Sequence, residues 1–202
     1  LAFVGAAFLL RLPREGWAVF GAILLLGIAG YAWQGSPTQA ASPKEEQAKV
    51  PRSGNEMIEA RSFWFPPTRV KPDFLVLADG VAREGKFDQA ADRLREGLKE
   101  NPDHMEGWLA LGMTLVAHAE GNVTPAASYA YNRANQLDPA NPASEYFLGI
   151  SFLQSGQVRA ARSVWGGLLD RSPEDAPWRA GLEAQVARLD QMIANAPMLQ
   201  GQ

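Results

Sequence analysis

The sequence predicts an all-α protein in which a transmembrane helix precedes an α-solenoid of three helix-turn-helix repeats and a C-terminal capping helix. Three observations support this fold class. An uncharged apolar segment covers residues 17–33, three blocks of similar pattern follow one another across residues 73–173, and apolar residues recur at helical spacing across residues 174–195. With 202 residues, 47% of them hydrophobic, the chain is long enough for one such domain and a membrane segment.

The segment 17–33 has the length and ends of a transmembrane helix. It would extend roughly 25 Å, with Trp17 at one interface and Tyr31 and Trp33 at the other. A buried core helix and a cleaved signal peptide are the alternatives. A core helix normally shows a polar stripe, and Trp33 and Gln34 stand where signal cleavage needs small residues, so the transmembrane interpretation is favoured.

The residues before this helix predict its orientation. Residues 1–10 are apolar but too few to span a bilayer, and the chain begins without methionine, so we expect them to be the tail of a truncated first transmembrane helix. Arg11 and Arg14 lie in the loop 11–16, whereas the next basic residue is Lys44. The positive-inside rule puts this loop in the cytoplasm and the repeats on the other side, the periplasm of a bacterial inner membrane.

Residues 34–72 are rich in proline and polar residues, a composition typical of an extended linker. Three consecutive aromatic residues, Phe63, Trp64 and Phe65, depart from this composition. They would either pack on the first helical pair or the membrane surface, or form a secondary contact with a partner or a second copy.

The three repeats are predicted at residues 73–104, 105–141 and 142–173. Each has a small residue at the start of its second helix and a proline at its end, where the missing N–H stops the helix. The small residues Ala90, Ala127 and Ala161 are spaced 37 and 34 residues apart. Matching positions in the first helices of the three repeats indicate a unit of 34 residues, with a longer turn in the middle copy.

The repeats resemble the tetratricopeptide (TPR) consensus. Their first helices carry a bulky residue, then Leu and a small residue, as in Trp108, Leu111 and Gly112. A large residue follows four positions after each small residue of the second helix, namely Leu94, Tyr131 and Trp165. Small residues let two helices approach closely, and large ones fill the remaining space. Because each unit leaves an apolar face, the last needs a cap, which residues 174–195 would supply.

The sequence shows no set of residues for catalysis. It has no cysteine, and its two histidines, His104 and His118, are not spaced as a metal pair, so a solvated or capping role is expected for each. No phosphate-binding loop is present, and a net charge of −3 does not favour nucleic acid. We therefore expect no enzyme activity, cofactor, metal or small-molecule substrate, and a protein-binding role.

The first helix of each TPR unit lines the concave surface of the array, and this surface is the predicted partner site. Its inward positions are Leu75, Asp79, Arg83, Leu109, Met113, Val116, Tyr146, Ile150, Leu153 and Gln154. The second and third units are mainly apolar there, which suits the apolar face of an amphipathic helix. The alternative is that the capping helix folds back and fills part of the groove.

The whole arrangement resembles the cytochrome c maturation TPR proteins, the haem-lyase accessory subunits of the CcmI, CycH and NrfG kind. An anchor with an arginine-bearing loop, a proline-rich linker and three repeats carry the likeness, which is strongest across residues 108–139. The resemblance implies a periplasmic chaperone that binds apocytochrome c by its C-terminal helix and presents it to the membrane subunits of the haem-ligation complex. The alternative is a general membrane-tethered scaffold for a translocon, secretion or pilus assembly.

Overall fold

Eight α-helices follow one another in residues 53–199, the part of the chain that this computed structural model describes. The helices are α1 (Gly54–Ser62), α2 (Asp73–Arg83), α3 (Phe87–Glu100), α4 (Met105–His118), α5 (Pro125–Leu137), α6 (Ala143–Gln154), α7 (Val158–Arg171) and α8 (Arg179–Leu199). Within this range, every helix is either too short or too polar to cross a bilayer. The predicted transmembrane helix, the apolar segment before it and the loop joining them lie outside the described residues.

The helices α2 to α7 form three consecutive pairs, each within one of the predicted repeats. Partners within a pair make the most extensive contacts, and successive first helices, α2 with α4 and α4 with α6, also touch. The predicted all-α solenoid of TPR units is therefore confirmed for this part of the chain.

Small residues set the spacing inside each pair. The alanines Ala90, Ala127 and Ala161 are fully buried, and a side chain on Gly149 would overlap the buried ring of Trp165. A Cβ on Gly112 would lie 3.1 Å from the ring of Tyr131. Tyr131 and Trp165 thus occupy the space that small residues of the first helices leave open.

The turns between paired helices use left-handed backbone conformations. Gly85 and Gly156 adopt φ of 75° and 72° in the first and third repeats, a region that glycine enters without steric cost. In the longer middle turn, Glu120 and Gly121 adopt φ of 54° and 90°. The hydroxyl of Thr124 then accepts from the Ala127 N–H at 3.2 Å and begins α5.

Helix α8 covers the apolar side of α7. Its residues Leu182, Val186 and Leu189 are buried, as expected for a cap. The helix begins at Arg179, later than the sequence predicts, because turns occupy the residues after Pro173. There the Arg179 guanidinium donates to the carbonyl of Leu169, in the last turn of α7, and to that of Ser172, just after the helix, at 2.7 and 2.8 Å.

Helix α1 differs from the sequence prediction, since it lies within the segment 34–72 that was expected to be an extended linker. Ser53 begins the helix by accepting from the Glu56 N–H at 3.3 Å. Met57, Ile58 and Arg61 form one buried face, and Phe65 is buried just beyond it. These side chains are buried because α1 packs on the array rather than extending away from it.

Candidate functional site

The predicted groove positions lie on α2, α4 and α6, the first helices of the three repeats. Six of the ten are buried: Leu75, Asp79, Leu109, Met113, Val116 and Ile150. Three are half-buried: Tyr146, Leu153 and Gln154. The tenth, Arg83, is exposed at the end of α2, apart from the others. A groove open to solvent would leave such positions accessible, so their burial requires a cover.

The cover is a stretch of the chain itself, residues 53–65, which we call the groove segment. It lies across the first helices of the repeats. Its beginning lies at their C-terminal ends, where Gly54 approaches the backbone of Ala82 so closely that a side chain there would overlap it. Its later part reaches the N-terminal end of α4, where Arg61 meets Glu106, the second residue of that helix. The concave surface therefore holds a helix in this structure.

A buried cluster of charges joins the groove segment to the first two repeats. The Arg61 guanidinium donates through Nη2 to both carboxylate oxygens of Asp79 at 2.7 and 2.6 Å, and through Nε to Glu106 at 3.3 Å. Arg61 and Glu106 are each 1% exposed and Asp79 is 5% exposed. Lys71 adds a more distant ammonium, 3.8 Å from Asp79 and 3.7 Å from Glu106. Two positive and two negative groups therefore balance on the groove floor.

The aromatic residues end the groove segment at the third repeat. The Trp64 ring lies 5.0 Å from the ring of Tyr146 and 6.3 Å from that of Trp178, which precedes α8. Phe65 belongs to the core, whereas Phe63 is 80% exposed. Trp64 and Phe65 therefore pack on the array, Trp64 on the last repeat rather than the first pair, whereas Phe63 is left exposed.

A cavity of about 230 Å³ remains between the start of the groove segment and the ends of α4 and α6. Met57 lines it from the segment, and Met113, Val116, Phe147 and Ile150 line it from the array. Most of these walls are apolar. The segment therefore covers the groove without filling all of it.

His104 begins α4 beside the charge cluster. Its Nδ1 accepts from the Gly107 N–H at 2.9 Å, which confirms the capping role that the sequence allowed for it. Burial and then the neighbouring charge of Arg69 lower the pKa of His104, while Glu106 opposes this shift. Within residues 53–199, no three histidine or acidic side chains gather as metal ligands.

Three residues of the charge cluster, Arg61, Lys71 and Glu106, are absent from the predicted site. Arg61 and Glu106 each had a signal in the sequence. Glu106 is three residues before Leu109 and seven before Met113, so the helical period puts it on the same face. Arg61 follows Met57 by four residues and precedes Trp64 by three, which continues one stripe through the predicted linker.

Comparison with known proteins gives the same fold. A tetratricopeptide-repeat family model matches residues 75–142. The chain is also 34% identical over 87 residues to peroxisome biogenesis protein 5 of Arabidopsis thaliana. This match covers 43% of this chain and 12% of that protein.

Two bacterial relatives are more informative, and both are named cytochrome c-type biogenesis protein CycH. The protein from Bradyrhizobium diazoefficiens is 35% identical over 114 residues, 56% of this chain and 31% of the relative. The protein from Rhizobium meliloti is 28% identical over 176 residues, 85% of this chain and 45% of the relative. The chain thus matches less than half the length of either relative. Its repeat fold and the family match make it a tetratricopeptide-repeat protein, and these relatives show that it is similar to the CycH proteins.

Proposed function

We propose that the chain is a chaperone of cytochrome c maturation that holds an amphipathic helix of apocytochrome c in its concave groove. It presents this client to the membrane subunits of the haem-ligation complex. Residues 17–33 anchor it in the bacterial inner membrane and the repeats face the periplasm. Its role is binding rather than catalysis.

The observation that carries the proposal is that the concave surface accommodates a helix. The nine residues of α1 lie against the first helices of the repeats, with Met57 and Ile58 buried at the contact. A surface that buries Met57 and Ile58 of one helix has the shape and apolarity for the apolar side chains of another, which is how helix-binding grooves recognise partners. The names of the two CycH relatives support cytochrome c biogenesis as the pathway in which the chain acts.

The binding test uses the full chain in detergent and a labelled peptide of an apocytochrome c C-terminal helix. We expect saturable binding by fluorescence anisotropy and at least a tenfold loss in the Ile150→Asp variant. Ile150 is 3% exposed and lines the cavity, so a carboxylate there would be buried against the apolar face of the client.

The matched control is Tyr129→Asp, which introduces the same charge at a residue of α5 that is 63% exposed. This variant should bind like the unmodified chain, and both variants should keep their helical circular dichroism. If the Ile150→Asp variant binds the peptide as tightly as the unmodified chain, the groove is not the client-binding site. Absence of binding by every cytochrome peptide would remove the client.

The anchor has its own test. The full chain should stay with the membrane fraction after alkaline carbonate extraction, whereas a chain lacking residues 17–33 should be released into the supernatant. Retention of the shortened chain would contradict this segment's role as the principal anchor.

A further inference from the structure

The groove segment has the sequence pattern of a bound amphipathic ligand. Its contacting residues, Met57, Ile58, Arg61, Trp64 and Phe65, are spaced as one stripe of a helix, although α1 itself ends at Ser62. The opposite face, including Asn55 and Glu59, is exposed. The segment therefore attaches to the array by one face and one cationic side chain.

The array's side of this contact requires that cation. Asp79 and Glu106 are nearly inaccessible to solvent, and burying a carboxylate without a counter-charge is strongly unfavourable. Lys71 approaches only to 3.7–3.8 Å and is itself 30% exposed. The Arg61 guanidinium reaches both carboxylates at hydrogen-bond distance, as its planar array of donors permits. Any helix that covers this floor must therefore bring an equivalent donor.

The segment also leaves room for a better occupant. The cavity of about 230 Å³ beside Met57 is lined mostly by apolar side chains of α4 and α6. A larger side chain in this space would make contacts with its apolar walls and bury apolar surface from water. A client with a bulkier residue at the position of Met57 gains those contacts, which favours its exchange with the segment.

We propose that the groove selects helices carrying an arginine four residues after one apolar residue and three residues before an aromatic one, and that residues 53–65 are a built-in competitor for it. This inference rests on the proposed function only in treating the groove as the partner site. The client exchanges with the segment. Its apparent affinity is therefore its affinity for the open groove multiplied by the fraction of molecules in which the groove is open.

The test uses a fluorescein-labelled peptide of residues 53–66 and full-length variants. Ile58→Asp places a charge on the buried face of α1 and leaves every groove residue of the array unchanged. The peptide should bind this variant at least tenfold more tightly than the unmodified chain. A peptide with Arg61→Gln, which keeps an amide donor but no charge, should bind the same variant at least tenfold more weakly.

The control chain is Glu59→Ala, altered on the exposed face of α1, and it should bind the peptide like the unmodified chain. Equal binding by the Ile58→Asp chain, with its helical circular dichroism retained, would overturn the competitor role. Equal binding by the Arg61→Gln peptide would overturn the arginine requirement.

Hydrogen exchange on the unmodified chain keeps the proposal testable if Ile58→Asp fails to fold. Amides of α1 should exchange at least tenfold faster than those in the middle of α4, because the segment opens while the array stays folded. Equal rates would show that α1 opens only with the whole array and would overturn the proposal. None of these measurements uses a cytochrome, so failure of the client assignment remains distinguishable from failure of this inference.

Discussion

Gly149 and Gly167 belong to the same repeat but differ in what surrounds the missing side chain. A Cβ on Gly149 would overlap the indole of Trp165, whose Nε1 donates to the Tyr146 carbonyl at 3.1 Å. Gly167 is exposed on α7 and a Cβ there would have no atom within 4 Å. The repeat consensus therefore explains the first glycine by packing, while packing does not explain the second.

These surroundings predict opposite effects of the same substitution. Gly149→Ala should destabilise the fold by about 1–3 kcal/mol, because the fully buried Trp165 ring cannot move aside. Gly167→Ala should stabilise it by about 1 kcal/mol through helix propensity alone. Urea denaturation followed by circular dichroism measures both. A loss of stability in Gly167→Ala, or none in Gly149→Ala, would contradict the packing account.

Tyr131 joins the second and third repeats through its hydroxyl. The oxygen lies 2.9 Å from Ser151 Oγ, and the Ser151 hydroxyl donates to the Phe147 carbonyl at 2.8 Å, so Tyr131 is the donor in the first contact. Burial raises the pKa of Tyr131, and the side chain is 1% exposed. The phenol therefore stays neutral and keeps its proton for Ser151.

Tyr131→Phe should lower the free energy of unfolding by about 1 kcal/mol, since it removes one buried hydrogen bond and leaves the ring in place. Tyr129→Phe is the matched control, because Tyr129 is 63% exposed on the same helix. Its stability in urea should equal that of the unmodified chain. Equal effects at both positions would show that the Tyr131 hydroxyl contributes nothing specific.

At the scale of the element, the start of α4 makes stability depend on pH. Because the pKa of His104 is lowered from its usual 6.5, the folded protein binds fewer protons than the unfolded chain once the pH falls below that value. The contribution of neutral His104 to the stability of the fold is fully present above pH 6.5 and is lost as the pH falls through its folded-state pKa. Protonation of Nδ1 also removes the acceptor for the Gly107 N–H.

Replacement of this cap should weaken the pH dependence. His104→Asn keeps a favoured capping side chain but has no group that titrates in this range. Its unfolding midpoint should therefore fall less than that of the unmodified chain between pH 7.5 and 5.5. His118→Asn, at the exposed end of the same helix, is the control and should retain the steeper dependence. Parallel profiles for His104→Asn and the unmodified chain would exclude His104 as the source.

The elements differ in how far the sequence predicts them. Helices α2 to α7 follow from the repeated order of a small residue, a large residue and a terminal proline, because each such unit needs the same packing. Helix α1 has no counterpart in the repeats, and prolines surround its nine residues. Its formation depends on docking, since an isolated helix of this length is marginal in water. The composition of the segment therefore predicts no stable helix by itself, and α1 is stabilised by its contacts with the array.

The same limit applies to the candidate site. The helical period predicts which face of α4 carries Leu109, Met113 and Val116, and the structure places Met113 and Val116 together in the wall of the cavity. It does not predict that residues far away in the chain cover that surface. The ion pair between Arg61 and Glu106 joins residues 45 positions apart, and no local pattern connects them. Long-range charge pairing was therefore the part of the site that sequence alone did not reveal.

At the scale of the whole molecule, replacing Arg61 tests whether α1 can detach from the repeats or is an integral part of their fold. Removing one partner of a buried ion pair usually costs about 3–5 kcal/mol, because the other charge stays buried. If the groove segment undocks in Arg61→Met, water reaches Asp79 and Glu106, and Lys71 remains beside them. The cost is then limited to the docking free energy of the segment.

We therefore expect Arg61→Met to lower the free energy of unfolding of the repeats by less than about 3 kcal/mol and to speed hydrogen exchange in α1 at least tenfold. Arg95→Met is the control, since Arg95 pairs with Asp92 on the exposed face of α3 at 2.8 Å and should change neither quantity. A loss of about 3–5 kcal/mol, with α1 and α4 exchanging together, would mean that α1 belongs to the cooperative core. The limited cost follows only if the array remains folded while its groove is empty, the state that a client helix would bind.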